Sequence, residues 1–149
     1  MAAAVYWDTS AIIKLYTPET DSAKYRQLLI AQSEPLAVSK LHCVELFFAL
    51  RGKELRGEIT VGSATTLFDM YQAHVRQDRY ITIPWTDAVA TEARRILEQC
   101  INATPPISLR SLDGLHLGIL RAAKLTSIVT ADLKMRQAAT AVAIASIEP

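Results

Sequence analysis

Glycine and proline are scarce in this chain, five and six among 149 residues, and there is no low-complexity tract or internal repeat. Their scarcity excludes collagen-like, linker-like and disordered classes, which depend on those residues or on repetitive polar sequence. Only two cysteines are present, Cys43 and Cys100, and no Cys/His spacing of a zinc site surrounds them. A disulfide scaffold and a structural zinc centre are therefore excluded, and both thiols, lying in apolar helical patterns, are expected to be small buried groups. No apolar run approaches the roughly 20 residues of a membrane span. The opening MAAAVYWDTSAIIKLY is apolar, but Asp8 and Lys14 break it and no basic segment precedes it, so it reads as a core strand and helix and not as a signal peptide. No membrane partner and a cytoplasmic location are the expectation. Net charge is also lacking: the formal value is +1, so a general polycation is excluded and any contact with nucleic acid must be local.

What remains is a chain that is 50% hydrophobic and long enough for one substantial core, which predicts a single domain over residues 1–149. Short apolar runs at Ala3 to Trp7, Leu36 to Val38, Tyr80 to Ile83, Ser127 to Thr130 and Val142 to Ile147 read as strands. Between them lie stretches of helical periodicity: Ser10 to Tyr16, Asp21 to Gln32, a third helix capped by Ser39, Thr60 to Gln77, a helix capped by Thr86 or Asp87 and running to Cys100, Leu112 to Lys124, and one from Asp132. Ile101 to Ser111 is the longest irregular stretch. Strands alternating with helices predict an α/β fold, a parallel sheet covered on both faces, with ligands bound at the carboxyl ends of the strands.

Four carboxylates stand alone in otherwise apolar surroundings: Asp8 in VYWDTSAII, Glu45 in CVELFFAL, Asp113 in SLDGLHLGIL and Asp132 in IVTADL. An ionised carboxylate is costly to withdraw from water without compensation, yet only Asp132 has a Lys or Arg within two residues, Lys134. A metal ion is the simplest common compensator. Oxygen ligands select a hard cation, Mg2+ or Mn2+, and hard cations clustered with acids suit the hydrolysis of phosphate esters. Taken singly, Asp8, Asp113 and Asp132 precede helices, where aspartate is a common cap. Glu45 lies more than a turn inside its helix and has no such role.

The segments DTSAIIKLY, VELFFAL, LRSLDGLHLGIL and VTADLKM, in this order, resemble the successive motifs of PIN-domain nucleases, most closely the short single-domain VapC-type toxins of toxin-antitoxin pairs. That resemblance covers nearly the whole chain. It implies a PIN-like three-layer α/β/α fold with a central parallel sheet of about five strands. By the same resemblance Asp8, Glu45, Asp113 and Asp132 are the quartet that holds Mg2+ or Mn2+, with Ser10 and Thr130 as supporting hydroxyls. The implied activity is metal-dependent endoribonuclease action leaving a 5′-phosphate and a 3′-hydroxyl, and the implied partners are an RNA substrate, a small VapB-like antitoxin and a second copy of the chain. The antitoxin's apolar contacts are expected around Ile12, Leu15 and Phe47.

Arg110, one turn before Asp113, is a candidate for binding either a substrate phosphate or an acid of the site. His42 and His116 read as satisfied structural histidines, and the Arg51, Lys53, Arg56 cluster and the Arg94, Arg95 pair as exposed faces. Two other readings are a housekeeping RNA-processing nuclease and a catalytically inactive RNA-binding PIN protein. Phosphotransfer at Asp8 fits poorly, because Ser10 stands where haloacid-dehalogenase-like enzymes have a second aspartate and Thr130 where receiver domains have a lysine.

Overall fold

The structure, a computed structural model, describes residues 3–149. Five short strands, β1 (Val5–Trp7), β2 (Leu36–Ser39), β3 (Ile81–Ile83), β4 (Ser127–Val129) and β5 (Ala145–Ile147), form one sheet in the order β3-β2-β1-β4-β5. Every pairing is parallel, with Tyr6 opposite both Ala37 and Ile128 in the central register. Parallel neighbours need a crossover between them, and helices supply it. These are α1 (Thr9–Ile12, continued by a 3-10 turn over Ile13–Leu15), α2 (Ser22–Ala31), α3 (Leu41–Leu55), α4 (Ser63–Arg76), α5 (Ala88–Ile101), α6 (Ser111–Ala122) and α7 (Leu133–Ala141).

Side chains alternate across the strands, so each face of the sheet builds its own core. Val5, Trp7, Leu36, Val38 and Val129 pack with α1 to α4, while Tyr6, Ala37, Ile83 and Ile128 pack with α5, α6 and α7. The strand order reverses between β1 and β4. In open parallel sheets the crevice at such a reversal, beyond the carboxyl ends of the strands, is where ligands bind. Asp8 directly follows β1 there, and Thr130 directly follows β4.

Helix α3 corrects the expectations for Cys43 and for Ser39. Its buried face is His42, Leu46, Leu50 and Glu54, which leaves Val44 60% and Phe48 72% exposed. Cys43 points outwards with them and is an exposed thiol, whereas Cys100 is buried as expected. A helix rich in apolar residues on both sides carries no sequence signal for which side faces in. Ser39 also differs: it ends β2, and its hydroxyl takes the Leu41 amide at 3.3 Å without capping the helix proper. Ile12 is fully buried, so it is not available as a docking residue, and Leu15 is half-buried.

Helices α5 and α6 approach closely at Gly118. A Cβ there would lie 2.9 Å from the Val89 carbonyl oxygen and 3.0 Å from the Ala93 nitrogen, both backbone atoms of α5. Gly118→Ala should destabilise the fold by about 1–3 kcal/mol, lowering the melting temperature by several degrees. Thermal unfolding of the purified variant checks this, and a melting curve superimposable on wild type would contradict the packing described.

Candidate active site

The first acid is fixed by its own helix start. Asp8 follows β1 in extended conformation and accepts from the Ala11 amide at 3.1 Å, so it is the N-cap of α1. Ser10 donates to its Oδ1 at 2.6 Å, and Thr130 donates to its Oδ2 at 2.5 Å. The two supporting hydroxyls thus hold one carboxylate from opposite sides, joining β1 to β4. Burial raises the Asp8 pKa above its ordinary value despite the hydrogen bonds from Ser10, Thr130 and the Ala11 amide. The carboxylate is 4% exposed and has no cationic side chain bonded to it among the described residues.

Asp132 repeats the pattern at the other strand. It caps α7, its Oδ1 accepting from Lys134 and Met135 amides at 2.8 and 3.3 Å, and its own amide donates to Thr130 Oγ1 at 3.1 Å. Capping therefore accounts for part of what Asp8 and Asp132 do, but each keeps acceptor capacity on Oδ2. Asp113, in the first turn of α6 and 8% exposed, caps nothing. Its Oδ2 accepts from Arg110 Nε at 3.1 Å, and the same guanidinium lies 3.5 Å from Asp132 Oδ2. Arg110 is held more firmly protonated by Asp113 first and by Asp132 and Glu45 in addition. Of the two partners considered for Arg110, this arrangement has the acids.

Glu45 is half-buried on α3 and faces the start of α1. Its Oε1 accepts from Thr9 at 3.0 Å and from His116 Nε2 in a short contact. Burial alone would raise its pKa, but the hydrogen bond from His116, with that from Thr9, outweighs it and leaves Glu45 below the usual carboxylate range. The roles of Thr9 and His116 toward Glu45 are not visible in sequence spacing. The signals available were only a hydroxyl directly after Asp8 and a histidine one turn after Asp113.

His42 does not belong to the reactive set. Its Nε2 donates to the Trp7 carbonyl at 2.7 Å and its Nδ1 accepts from the Ser39 amide at 3.0 Å, which satisfies both ring nitrogens. Burial, with the adjacent His116 ring adding to it, pushes its pKa down to about 3. The basic residues near Gly52 are likewise engaged on the surface, Arg51 with Glu54 and Lys53 and Arg56 with Glu58, and Arg95 pairs with Glu92.

Asp8, Asp113 and Asp132 are thus linked through Thr130 and Arg110, and Glu45 is held by Thr9, the residue after Asp8. Every donor atom they offer is a carboxylate oxygen, which suits a hard divalent cation. Arg110 is a cation already seated between two of them. Among the described residues, no three His, Cys, Asp or Glu side chains are drawn together into a preformed metal cage in this arrangement.

The PIN domain family matches residues 5–141. The chain belongs to that family. This PIN domain is 29% identical over 150 aligned positions to Ribonuclease VapC35 of Mycobacterium tuberculosis, in both strain CDC 1551 / Oshkosh and strain H37Rv, covering 97% of this chain and 96% of that protein. Among solved structures it resembles FitAcB from Neisseria gonorrhoeae, with a TM-score of 0.64, 16% identity and 97% of both chains covered. It also resembles Mycobacterium tuberculosis VapC20, described as a Sarcin-Ricin loop cleaving toxin, with a TM-score of 0.60, 13% identity and coverage of 98% and 100%. Those two likenesses concern the fold, and the five-stranded parallel sheet agrees with them.

Because the folded-state pKa of Asp8 lies above that of an unfolded aspartate, the ionised group costs stability at neutral pH, and that cost fades as pH falls through the folded value. Asp8→Asn keeps an acceptor for Ser10 and Ala11 and removes the charge. In chelator at neutral pH it should melt at a higher temperature than wild type, with the gap narrowing on acidification. A variant less stable than wild type at neutral pH would show that the hydrogen bonds, not the buried charge, dominate.

Proposed function

We propose that this PIN domain is a magnesium- or manganese-dependent endoribonuclease that acts as the toxin of a toxin-antitoxin module. The observation that supports the reading is the sharing of one guanidinium, Arg110, by Asp113 and Asp132, with Asp8 joined to Asp132 through Thr130 and Glu45 held by Thr9, the residue after Asp8. The similarity to Ribonuclease VapC35 along almost the full length of both chains supports ribonuclease activity.

Asp8, Glu45, Asp113 and Asp132 would hold the cation. The chemistry such a cation would supply is a lowered pKa for a bound water and neutralisation of charge developing on the phosphate. The chain's own contributions follow from the hydrogen bonds. Ser10, Thr130 and the Ala11 amide keep Asp8 in one orientation, and Thr9 and His116 keep Glu45 in another, so the acids lose little freedom on binding. Arg110 is 74% exposed in its side chain, and its planar fork suits a phosphate oxygen as well as the carboxylates of Asp113 and Asp132. Without a cation, four acids would repel a polyanion from the crevice. In hydrolysis the water oxygen bonds to phosphorus as the 3′-oxygen leaves, so the ribose 2′-hydroxyl takes no part.

The same contact supports the mode of silencing. Since a guanidinium already spans Asp113 and Asp132, an arginine from a small antitoxin fits the same place and competes with metal. The antitoxin's apolar contacts are assigned to the outer face of α3, where Val44, Phe48 and Leu55 recur at helical spacing and are 60%, 72% and 83% exposed, with Phe47 at its margin. Pairing of two copies belongs to the same reading.

Cleavage of RNA by purified protein should need Mg2+ or Mn2+ and fall by about a hundredfold or more in Glu45→Gln and Asp113→Asn, which keep shape and remove charge. Full activity in excess chelator, or undiminished activity in Asp113→Asn, would reject the metal-nuclease reading. Expression alone should arrest growth and co-expression of a small adjacent reading frame should relieve it. Harmless expression without a copurifying small protein favours a housekeeping nuclease.

A further inference from the structure

One buried chain of polar side chains runs from the end of β2 to a site residue. Tyr6 is the central residue of β1, fully buried, and projects to the opposite face from Val5 and Trp7. Its hydroxyl lies 2.6 Å from His116 Nδ1 and 2.9 Å from Ser39 Oγ. His116 is 1% exposed, and its other nitrogen, Nε2, contacts Glu45 Oε1. An apolar Phe would fill the place of Tyr6 in the core without needing partners, so the hydroxyl calls for its own explanation.

The donors and acceptors can be assigned in only one consistent direction for a neutral ring. A carboxylate only accepts, so Nε2 carries the hydrogen that meets Glu45, and Nδ1 is left as an acceptor. Tyr6 therefore donates to Nδ1, and Ser39 donates to Tyr6. The Leu41 amide, 3.3 Å from Ser39 Oγ, closes the far end. His42, whose ring centroid is 5.2 Å from that of His116, stands outside the chain, because the Trp7 carbonyl and the Ser39 amide already occupy both its nitrogens.

We infer that Tyr6 and His116 are positioning residues that fix the Glu45 carboxylate for metal binding, Tyr6 setting the His116 tautomer and ring angle and His116 in turn holding Oε1 so that Oε2 faces the crevice. This rests on the metal-site reading above. Neither residue touches substrate. Partners one step removed from a metal ligand typically change affinity by about 10- to 100-fold when lost.

The test is titration of Mn2+ into purified protein by calorimetry, beside the Mn2+ concentration that half-saturates RNA cleavage. His116→Leu should bind Mn2+ about tenfold or more weaker, and Tyr6→Phe should be weakened in the same direction by a smaller factor. His116→Gln, whose amide can still donate to Glu45, should stay within about threefold of wild type. In each weakened variant the half-saturating Mn2+ should rise while the rate at saturating Mn2+ recovers, a split that simple loss of folding does not produce. Melting curves in chelator identify any variant that fails to fold, and Tyr6→Phe and His116→Gln are the conservative pair that keeps the comparison interpretable. Wild type that binds no Mn2+ would overturn the metal site, and the relay's role with it. Wild type that binds while Tyr6→Phe and His116→Leu bind equally well, or His116→Gln as weak as His116→Leu, would overturn the relay alone.

Discussion

Carboxylates gathered at the carboxyl edge of a parallel sheet impose the constraint that organises this protein. Each must be compensated, and the chain does so unequally. Asp132 receives two helix amides, Asp8 two hydroxyls and one amide, Glu45 a hydroxyl and a histidine, and Asp113 the Arg110 guanidinium it shares with Asp132. Neutral donors orient a carboxylate without cancelling its charge. Arg110 is the one cationic side chain paired with these acids among the described residues, so the proposed site has more carboxylates than paired cations.

The sheet order explains why these residues meet. Reversal between β1 and β4 places the residues after Trp7 and Val129 side by side, so Thr130 reaches Asp8 at 2.5 Å across most of the chain's length. The α3 and α6 helices, packed on opposite faces of the sheet, bring Glu45 and His116 together over its edge. Tyr6 runs through the middle of this arrangement, and its hydroxyl connects the strand core to the site.

Strand positions and helix order were legible in the sequence because apolar runs leave strong local signals, and the links among Asp8, Asp113 and Asp132 join acids that stood out as isolated charges. The five strands lie where the apolar runs predicted, with ends moved by one to three residues: β1 and β3 start later, β2 gains Ser39, β4 stops before Thr130, and Val142 closes α7 instead of opening β5. The orientation of α3 was not legible. Its sequence is apolar around most of the helix, and only the packing against α1 and α4 selects Leu46 and Leu50 over Val44 and Phe48. Cys43 was misjudged for the same reason. The partners of Glu45 were hidden because hydrogen bonds between residues 36 and 71 positions apart leave no periodic trace.

The claim at the centre is that the four acids form one shared cation site. The gain in melting temperature on adding magnesium, measured for wild type and for the single charge-removing variants of Asp8, Glu45, Asp113 and Asp132, tests it most directly, since a ligand stabilises only the state that binds it. A shared site predicts a clear gain for wild type and a reduced gain in all four variants. Equal gains in wild type and variants, or a loss confined to one acid, would contradict it.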